Sequence, residues 1–133
     1  MVERAQVAVE FLALTTLLVG VLIVFSVVSY YRTLEINDLK VAVAGASVCS
    51  VVASEVNAAI MVGDGYERSF LLPAYLGDGA SYSAQVIGSE RRVLVLFQGG
   101  GCQKPLLTSL VSGTVVQGVN VVKNVGGVVY LNA

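Results

Sequence analysis

The chain has 133 residues, of which 56% are hydrophobic and only 13% charged, with a net charge of −1 and no histidine. The charged fraction is about half that of an ordinary soluble protein, and no basic stripe occurs, so the composition argues against nucleic-acid binding. Without histidine, and with no nucleophile, phosphate-loop or metal-ligand motif, we expect neither an enzyme nor a cofactor or metal site.

A long apolar segment, Phe11–Tyr31, dominates the N-terminal part and contains no charged residue. As an α-helix it would span about 31 Å, close to the hydrocarbon thickness of a bilayer. Glu10 lies at the N-terminal end of this segment. Because a carboxylate is costly in lipid, its presence there indicates a functional role. An aromatic pair followed by Arg32 closes the segment, as is typical of a membrane interface. We predict a transmembrane helix over residues 6–33.

Residues 34–62 are predicted to continue this helix with one apolar face. No helix breaker occurs before Gly63, and apolar residues recur at spacings of three and four. The predicted inward positions are Leu39, Val43, Ala46, Cys49 or Ser50, Ala53, Val56 and Ile60. We therefore expect one nearly continuous helix from Val7 to Met61. Its first half requires lipid or neighbouring copies, and its second half packs on its own domain.

Residues 63–133 are predicted to form a β-rich head, because glycine-rich turns separate short segments with strand character. The predicted strands are Ser69–Tyr75, Ser81–Ile87, Arg92–Gln98, Leu106–Val111, Thr114–Gln117, Val119–Lys123 and Val128–Asn132. The last two are expected to pair as a hairpin, and Gly99–Gly101 is expected to be a flexible loop. One sheet of four to six antiparallel strands, wrapped against the second half of the helix, gives an α+β fold.

The two cysteines, Cys49 and Cys102, lie far apart in sequence and in no Cys-x-x-Cys pair, which argues against zinc binding and thioredoxin-like chemistry. If the head lies outside the cell, a disulfide closing the loop between them would stabilise it by about 2–4 kcal/mol. The alternative is a pair of buried free thiols. The sequence leaves both possibilities open.

The segment Gln6-Val-Ala-Val-Glu10-Phe-Leu-Ala-Leu14 resembles the class III signal peptide of archaeal type IV pilins, whose pattern is Gln-x-Ser-x-Glu-x-x-x-Leu followed by an apolar helix. Gln6, Glu10 and Leu14 match this pattern. Ala8 replaces the usual serine, and Ala5 stands where the leaders of the family usually end in glycine. The order of leader, motif, apolar helix, amphipathic helix and β head agrees with the family along the whole chain.

The resemblance implies that a prepilin peptidase removes the leader, residues 1–5, by cutting between Ala5 and Gln6. Subunits would remain inserted in the cytoplasmic membrane until an assembly ATPase and its membrane platform add them to an extracellular adhesion pilus. The main partner of the chain would then be further copies of itself. Glu10 and Phe11 would set the register between subunits, with the Glu10 carboxylate meeting the new α-ammonium group of Gln6 in an adjacent copy. If the leader stayed on, Arg4 of a neighbour would be the fallback partner.

Packing in the filament core is expected to involve one set of residues along the apolar segment: Leu14, Leu18, Gly20, Val21, Phe25 and Val28. Two alternatives to the pilus subunit remain open at this stage. An archaellin, the subunit of a rotating filament, has the same architecture but usually a more glycine-rich start. A single-pass membrane anchor that carries a binding domain is the other, although no binding-site chemistry is evident in the head.

Overall fold

The computed structural model describes the backbone of residues 2–77 and 79–133, and the side chains of residues 6–77 and 79–133. The leader predicted over residues 1–5, including Ala5 of the predicted cleavage site, therefore lies outside the described side chains. The chain forms two compact units. An N-terminal unit ends at Ile36, and the second unit, Asn37–Ala133, is called the globular unit below.

One α-helix, α1 (Val2–Val62), forms the N-terminal part of the chain, which confirms the prediction of a single long helix. Three hydroxyl-bearing side chains within the apolar segment have hydrogen-bond partners on the helix itself. The hydroxyls of Thr15, Thr16 and Ser26 each donate to the carbonyl oxygen four residues earlier, at 2.7–2.8 Å. Gly63, with φ at 100°, ends the helix in the left-handed conformation that favours glycine.

Residues 37–77 and 79–133 of the globular unit form seven strands in two sheets. They are β1 (Glu67–Leu72), β2 (Tyr82–Ile87), β3 (Arg92–Phe97), β4 (Gly100–Pro105), β5 (Val111–Gly113), β6 (Gly118–Val125) and β7 (Val128–Leu131). One sheet has the order β1-β6-β7-β5, and the other has the order β2-β3-β4, so the prediction of one sheet of four to six strands was wrong. All pairs are antiparallel except β5 with β7. The α+β class, a long apolar helix followed by a small and mainly antiparallel β region, is confirmed.

The predicted strands are confirmed where the hydrophobic pattern is strong, notably at β3 and in the β6–β7 hairpin. The prediction was wrong around β4. Gly100 and Gly101, predicted to be loop, begin this strand, whereas 106–110 and 114–117 are outside any strand. Because β4 is an edge strand with no fully buried residue, it carries no apolar pattern for the sequence to reveal.

The core of the globular unit lies between α1 and both sheets. The helix contributes Val48, Cys49, Val52, Ala53, Val56 and Ala59, and the strands contribute Phe70, Leu72, Tyr82, Val93, Val95, Val122, Val129 and Leu131. The predicted inward face of the helix is confirmed from Cys49 onward, with Cys49 buried and Ser50 exposed, but it is wrong before Cys49. Leu39 and Val43, predicted to point inward, are 64% and 61% exposed. Ala46 is exposed too, and Gly45 is buried in its place.

Gly45 packs directly under the aromatic ring of Phe97, and a methyl group there would lie 2.3 Å from the nearest ring carbon. Gly45→Ala should therefore displace the ring, a change that typically costs about 1–3 kcal/mol and outweighs the gain of about 1 kcal/mol in helix propensity. We expect a net loss of about 1 kcal/mol in the free energy of unfolding of the globular unit, measured by urea titration in detergent.

A matched control is Gly20→Ala, because a methyl group at Gly20 meets no atom within 4 Å in the described chain. This variant should leave the unfolding of the globular unit unchanged. Adding Phe97→Leu to Gly45→Ala should recover part of the loss by shortening the clashing side chain. A stability gain for Gly45→Ala alone would contradict the close packing of Gly45 and Phe97.

Candidate assembly surface

The N-terminal unit exposes its apolar side chains along its described length: every side chain from Gln6 to Ile36 is exposed. The most apolar 18-residue window of α1 has a mean hydropathy of 2.7 and is 0% buried. By length and composition, α1 is the one helix among the described residues that could cross a membrane. Monomeric soluble proteins rarely expose contiguous apolar surface on this scale, so the surface requires lipid or another protein.

A shallow apolar groove runs along one face of the apolar segment. It is lined by Ala13, Thr16, Leu17, Gly20, Val21, Val24, Phe25 and Val28. Four of the six residues predicted for core packing line this groove, whereas Leu14 and Leu18 do not. The missing side chain of Gly20 leaves the floor of the groove open, and small residues of this kind let helix backbones approach closely.

The structure adds residues to this surface that the sequence analysis did not select. Ala13, Leu17 and Val24 share the groove with Gly20. Their spacing of three, four and seven residues is the pattern of one helix face, so counting from Gly20 would have identified them. The groove therefore forms a continuous face about four turns long, from Ala13 to Val28.

Glu10 is exposed and makes no ion pair or hydrogen bond with the described part of the chain. Residues 6–31 contain no lysine or arginine. In the C-terminal direction the nearest cation along the helix is Arg32, about 33 Å away. Gln6 and Phe11, the other residues predicted to act in assembly, are exposed as well. The structure thus places the three residues within two turns of one another on the exposed part of the helix.

The uncharged exposed surface also occurs on the helical part of the globular unit. Leu39 and Val43 are mostly exposed, and residues 41–54 contain no charged side chain although several of them face solvent. The opposite side of this part of the helix is buried in the core. The helix therefore uses one side to hold the globular unit together and leaves an uncharged side uncovered.

Cys49 and Cys102 lie together in the globular unit as free thiols. Cys49 is on α1 and fully buried, and Cys102 is half-buried on β4, where it pairs with Val95 of β3. The Cys49 thiol lies 4.0 Å from the carbonyl oxygen of Val93. Burial, reinforced by a hydrogen bond with Cys102, raises the pKa of Cys49 to about 12. The structure thus brings the two predicted disulfide partners into contact.

A largely buried carboxylate of the globular unit, that of Glu55, has structural partners. Glu55, largely buried, accepts from the Tyr66 hydroxyl at 3.5 Å and pairs with Arg68 at 3.4 Å. In residues 6–77 and 79–133, no three His, Cys, Asp or Glu side chains stand close enough to share a metal ion. Shallow grooves beside β2 are lined by neutral side chains and backbone. The exposed apolar face of α1 is therefore the best-defined candidate surface.

Comparison of the chain with protein-family models, with curated proteins and with solved structures gives no match.

Proposed function

We propose that the chain is a structural subunit that polymerises through the exposed apolar part of α1 into an extracellular filament of the archaeal type IV pilus kind. One observation carries the proposal: the uncharged segment Phe11–Tyr31 has no buried side chain. A surface of this kind has to be covered before the protein can leave the membrane. Further copies of the same helix can cover this surface, because they have the same length and an equally apolar surface.

The membrane is the expected location of the subunit before assembly. Thirteen of the 21 residues of the apolar segment are Leu, Ile, Val or Phe. Each contributes roughly −0.3 to −0.6 kcal/mol to insertion, so together they contribute about −4 to −8 kcal/mol. The three hydroxyl groups with partners on the helix add little opposing cost. The monomer would therefore be stable in lipid until assembly begins.

The groove around Gly20 supports a filament over a lone membrane anchor. An anchor requires only length and hydropathy, whereas a recess along one helix face suits the ridge of a neighbouring helix. If the ridge lies on a different face of the same helix, each contact joins unlike surfaces. Contacts of this heterologous kind do not close into a dimer and instead generate an open helical array.

Glu10 would set the offset between neighbouring subunits. After cleavage between Ala5 and Gln6, the α-ammonium group of Gln6 in one copy would meet the Glu10 carboxylate of the next. Two opposite charges ~4 Å apart attract by about 4 kcal/mol at an effective dielectric constant of 20. Desolvation opposes much of this gain, so the pair would select one register more than it would stabilise the filament.

The proposal is tested on filaments sheared from the cell surface. We expect electron microscopy to show thin filaments, and sequencing of their subunit to give this chain beginning at Gln6. A protein that stays monomeric in mild detergent at high concentration, with no surface filament, would instead support the single-pass anchor. Loss of motility on deletion with adhesion intact would support the archaellin alternative.

Replacing Glu10 tests the register. Glu10→Gln and Glu10→Ala should insert into the membrane in normal amounts, because both remove a charge from the end of the apolar segment. Filament yield should fall at least tenfold, or the subunit spacing measured by electron microscopy should change. Glu35→Gln is the matched control, since Glu35 is also exposed on the same helix but lies beyond the apolar segment. Normal assembly of Glu10→Gln with unchanged spacing would exclude the proposed role.

A further inference from the structure

The edge strand β4 has weak noncovalent attachment to the rest of the globular unit. None of its six residues is fully buried, and only Cys102 is half-buried. At its end, the side-chain amide of Asn57 donates to the Pro105 carbonyl oxygen at 3.4 Å and accepts from the Leu107 N–H at 2.9 Å. Besides these bonds and the backbone pairing with β3, one side chain of β4 packs against the core of the globular unit, that of Cys102.

The Cys49 thiol, 53 positions earlier in the chain and on α1, lies 4.0 Å from the carbonyl oxygen of Val93 on β3, and Cys102 pairs with Val95 two residues further along the same strand. Both side chains pack in the core of the globular unit. Two thiols that pack together across separate elements, one of them with no exposed surface, have the placement of disulfide partners. We propose that Cys49 and Cys102 form an intramolecular disulfide that fastens β4 to α1, and that the oxidant enters through Cys102. The inference goes beyond the proposed function, because it does not require the chain to polymerise.

Oxidation by thiol–disulfide exchange needs a disulfide-containing oxidant, either a protein or a small molecule. The Cys102 thiolate attacks a sulfur of that disulfide, forms a mixed disulfide and releases one thiolate of the oxidant. Cys49 then loses its proton and attacks the Cys102 sulfur, which releases the second thiolate of the oxidant. In total, two thiols lose two protons and two electrons, and the oxidant becomes a dithiol or two thiols.

Burial assigns the order of these steps. Cys49 is 0% exposed and cannot be reached by an external disulfide in the folded unit, whereas Cys102 is partly accessible. The second step requires a Cys49 thiolate, which is scarce because burial raises the pKa of this thiol. Ring closure is therefore slow in the folded unit and fast while the chain is still folding. Once closed, the bond is shielded from reductants by the same burial.

The native bond is tested on full-length protein taken from its own membranes. The protein is denatured in the presence of an alkylating reagent without reductant, digested and mapped by mass spectrometry. We expect a linked pair of peptides containing Cys49 and Cys102, two hydrogens lighter than the sum of the free peptides. Alkylation of both cysteines without prior reduction would overturn the proposal.

The order of steps is tested on the reduced, folded full chain in detergent, with oxidised glutathione as the probe. Glutathione should appear first on Cys102, and ring closure should be at least tenfold faster in urea than in the folded state. Cys49→Ala should stop at the mixed disulfide on Cys102, and Cys102→Ser should leave Cys49 unmodified until urea is added. Equal labelling of both thiols in the folded wild-type chain would overturn the assigned entry point, whether or not the variants fold.

Discussion

Val43→Asp is expected to abolish filament assembly while leaving the globular unit folded. Val43 is 61% exposed and makes no contribution to the core cluster, so the substitution should change the free energy of unfolding by only about 0.5 kcal/mol. In an assembled filament, the uncharged side of residues 41–54 would face neighbouring subunits. A carboxylate covered there without a partner would cost several kcal/mol, enough to prevent the contact.

This position separates assembly from membrane insertion. A charge within Phe11–Tyr31 would disturb both, because an aspartate at the centre of a membrane helix costs about 2.5–3.5 kcal/mol in insertion. Val43 lies twelve residues beyond that segment, so the membrane content of the variant should stay normal. Filaments are counted by negative-stain electron microscopy, and folding is followed by near-UV circular dichroism in detergent.

Val52→Asp is the matched variant on the buried side of the same helix. Val52 is 0% exposed, and an unpaired carboxylate in its place should destabilise the globular unit by more than about 4 kcal/mol. Both variants should therefore fail to assemble, but only Val52→Asp should lose its folded signal. Filaments of normal yield from Val43→Asp would show that subunit contacts do not reach this turn of the helix.

The spacing of apolar residues predicts α1 well because a helix of this length needs only an unbroken pattern and a glycine at its end. It predicts the buried face poorly at the start of the globular unit. Leu39 and Val43 are the larger apolar residues there, and pattern counting places them inside. The helix instead turns Gly45 inward, because the ring of Phe97, far along the chain, fills the space that a side chain would need. No local pattern contains that information.

For the strands and the candidate surface, as for α1, local sequence patterns predict some features, and contacts between distant residues determine the others. β3 and the β6–β7 hairpin have strong apolar patterns and are predictable, whereas the parallel pairing of β5 with β7 depends on contacts between distant segments. In the apolar segment, hydropathy predicts exposure to lipid or protein, and helix geometry is needed to define the groove around Gly20. The partner of Glu10 is proposed to belong to another copy, so neither the sequence nor one folded chain can display it.

Asn124→Leu is expected to be among the most destabilising uncharged substitutions in the globular unit. Asn124 is 2% exposed and joins the end of α1 to the β6–β7 hairpin. Its side-chain amide donates to the Ala59 carbonyl oxygen at 2.7 Å, and its side-chain oxygen accepts from the Gly127 N–H at 3.0 Å. Leucine has a similar size but leaves the carbonyl oxygen of buried Ala59 and the N–H of Gly127 short of a bond, which should cost about 2–4 kcal/mol in urea unfolding.

Asn57→Ala is the control for a side chain that makes two comparable bonds at a more accessible site. Its partners, Pro105 and Leu107, are exposed, so water can replace the lost bonds. The expected cost is about 1 kcal/mol or less. Equal losses for the two variants would show that the buried position of Asn124 carries no special weight in the stability of the globular unit.

Asn124→Asp separates the two bonds of this residue and predicts a pH dependence of stability. A carboxylate there can still accept from the Gly127 N–H, but it places negative charge against the Ala59 carbonyl oxygen in a buried site. Burial and repulsion by the Ala59 carbonyl oxygen both raise the pKa of the introduced carboxyl group above its unfolded value of about 3.9. Between the two pKa values the folded state binds more protons than the unfolded state, so stability falls as pH rises.

Relative to wild type, the variant should therefore be least stable near pH 7 and recover toward pH 4, where the protonated group can donate to Ala59. Urea titrations at several pH values check this slope, and a variant that loses stability on acidification relative to wild type would contradict the burial and the donor role of Asn124.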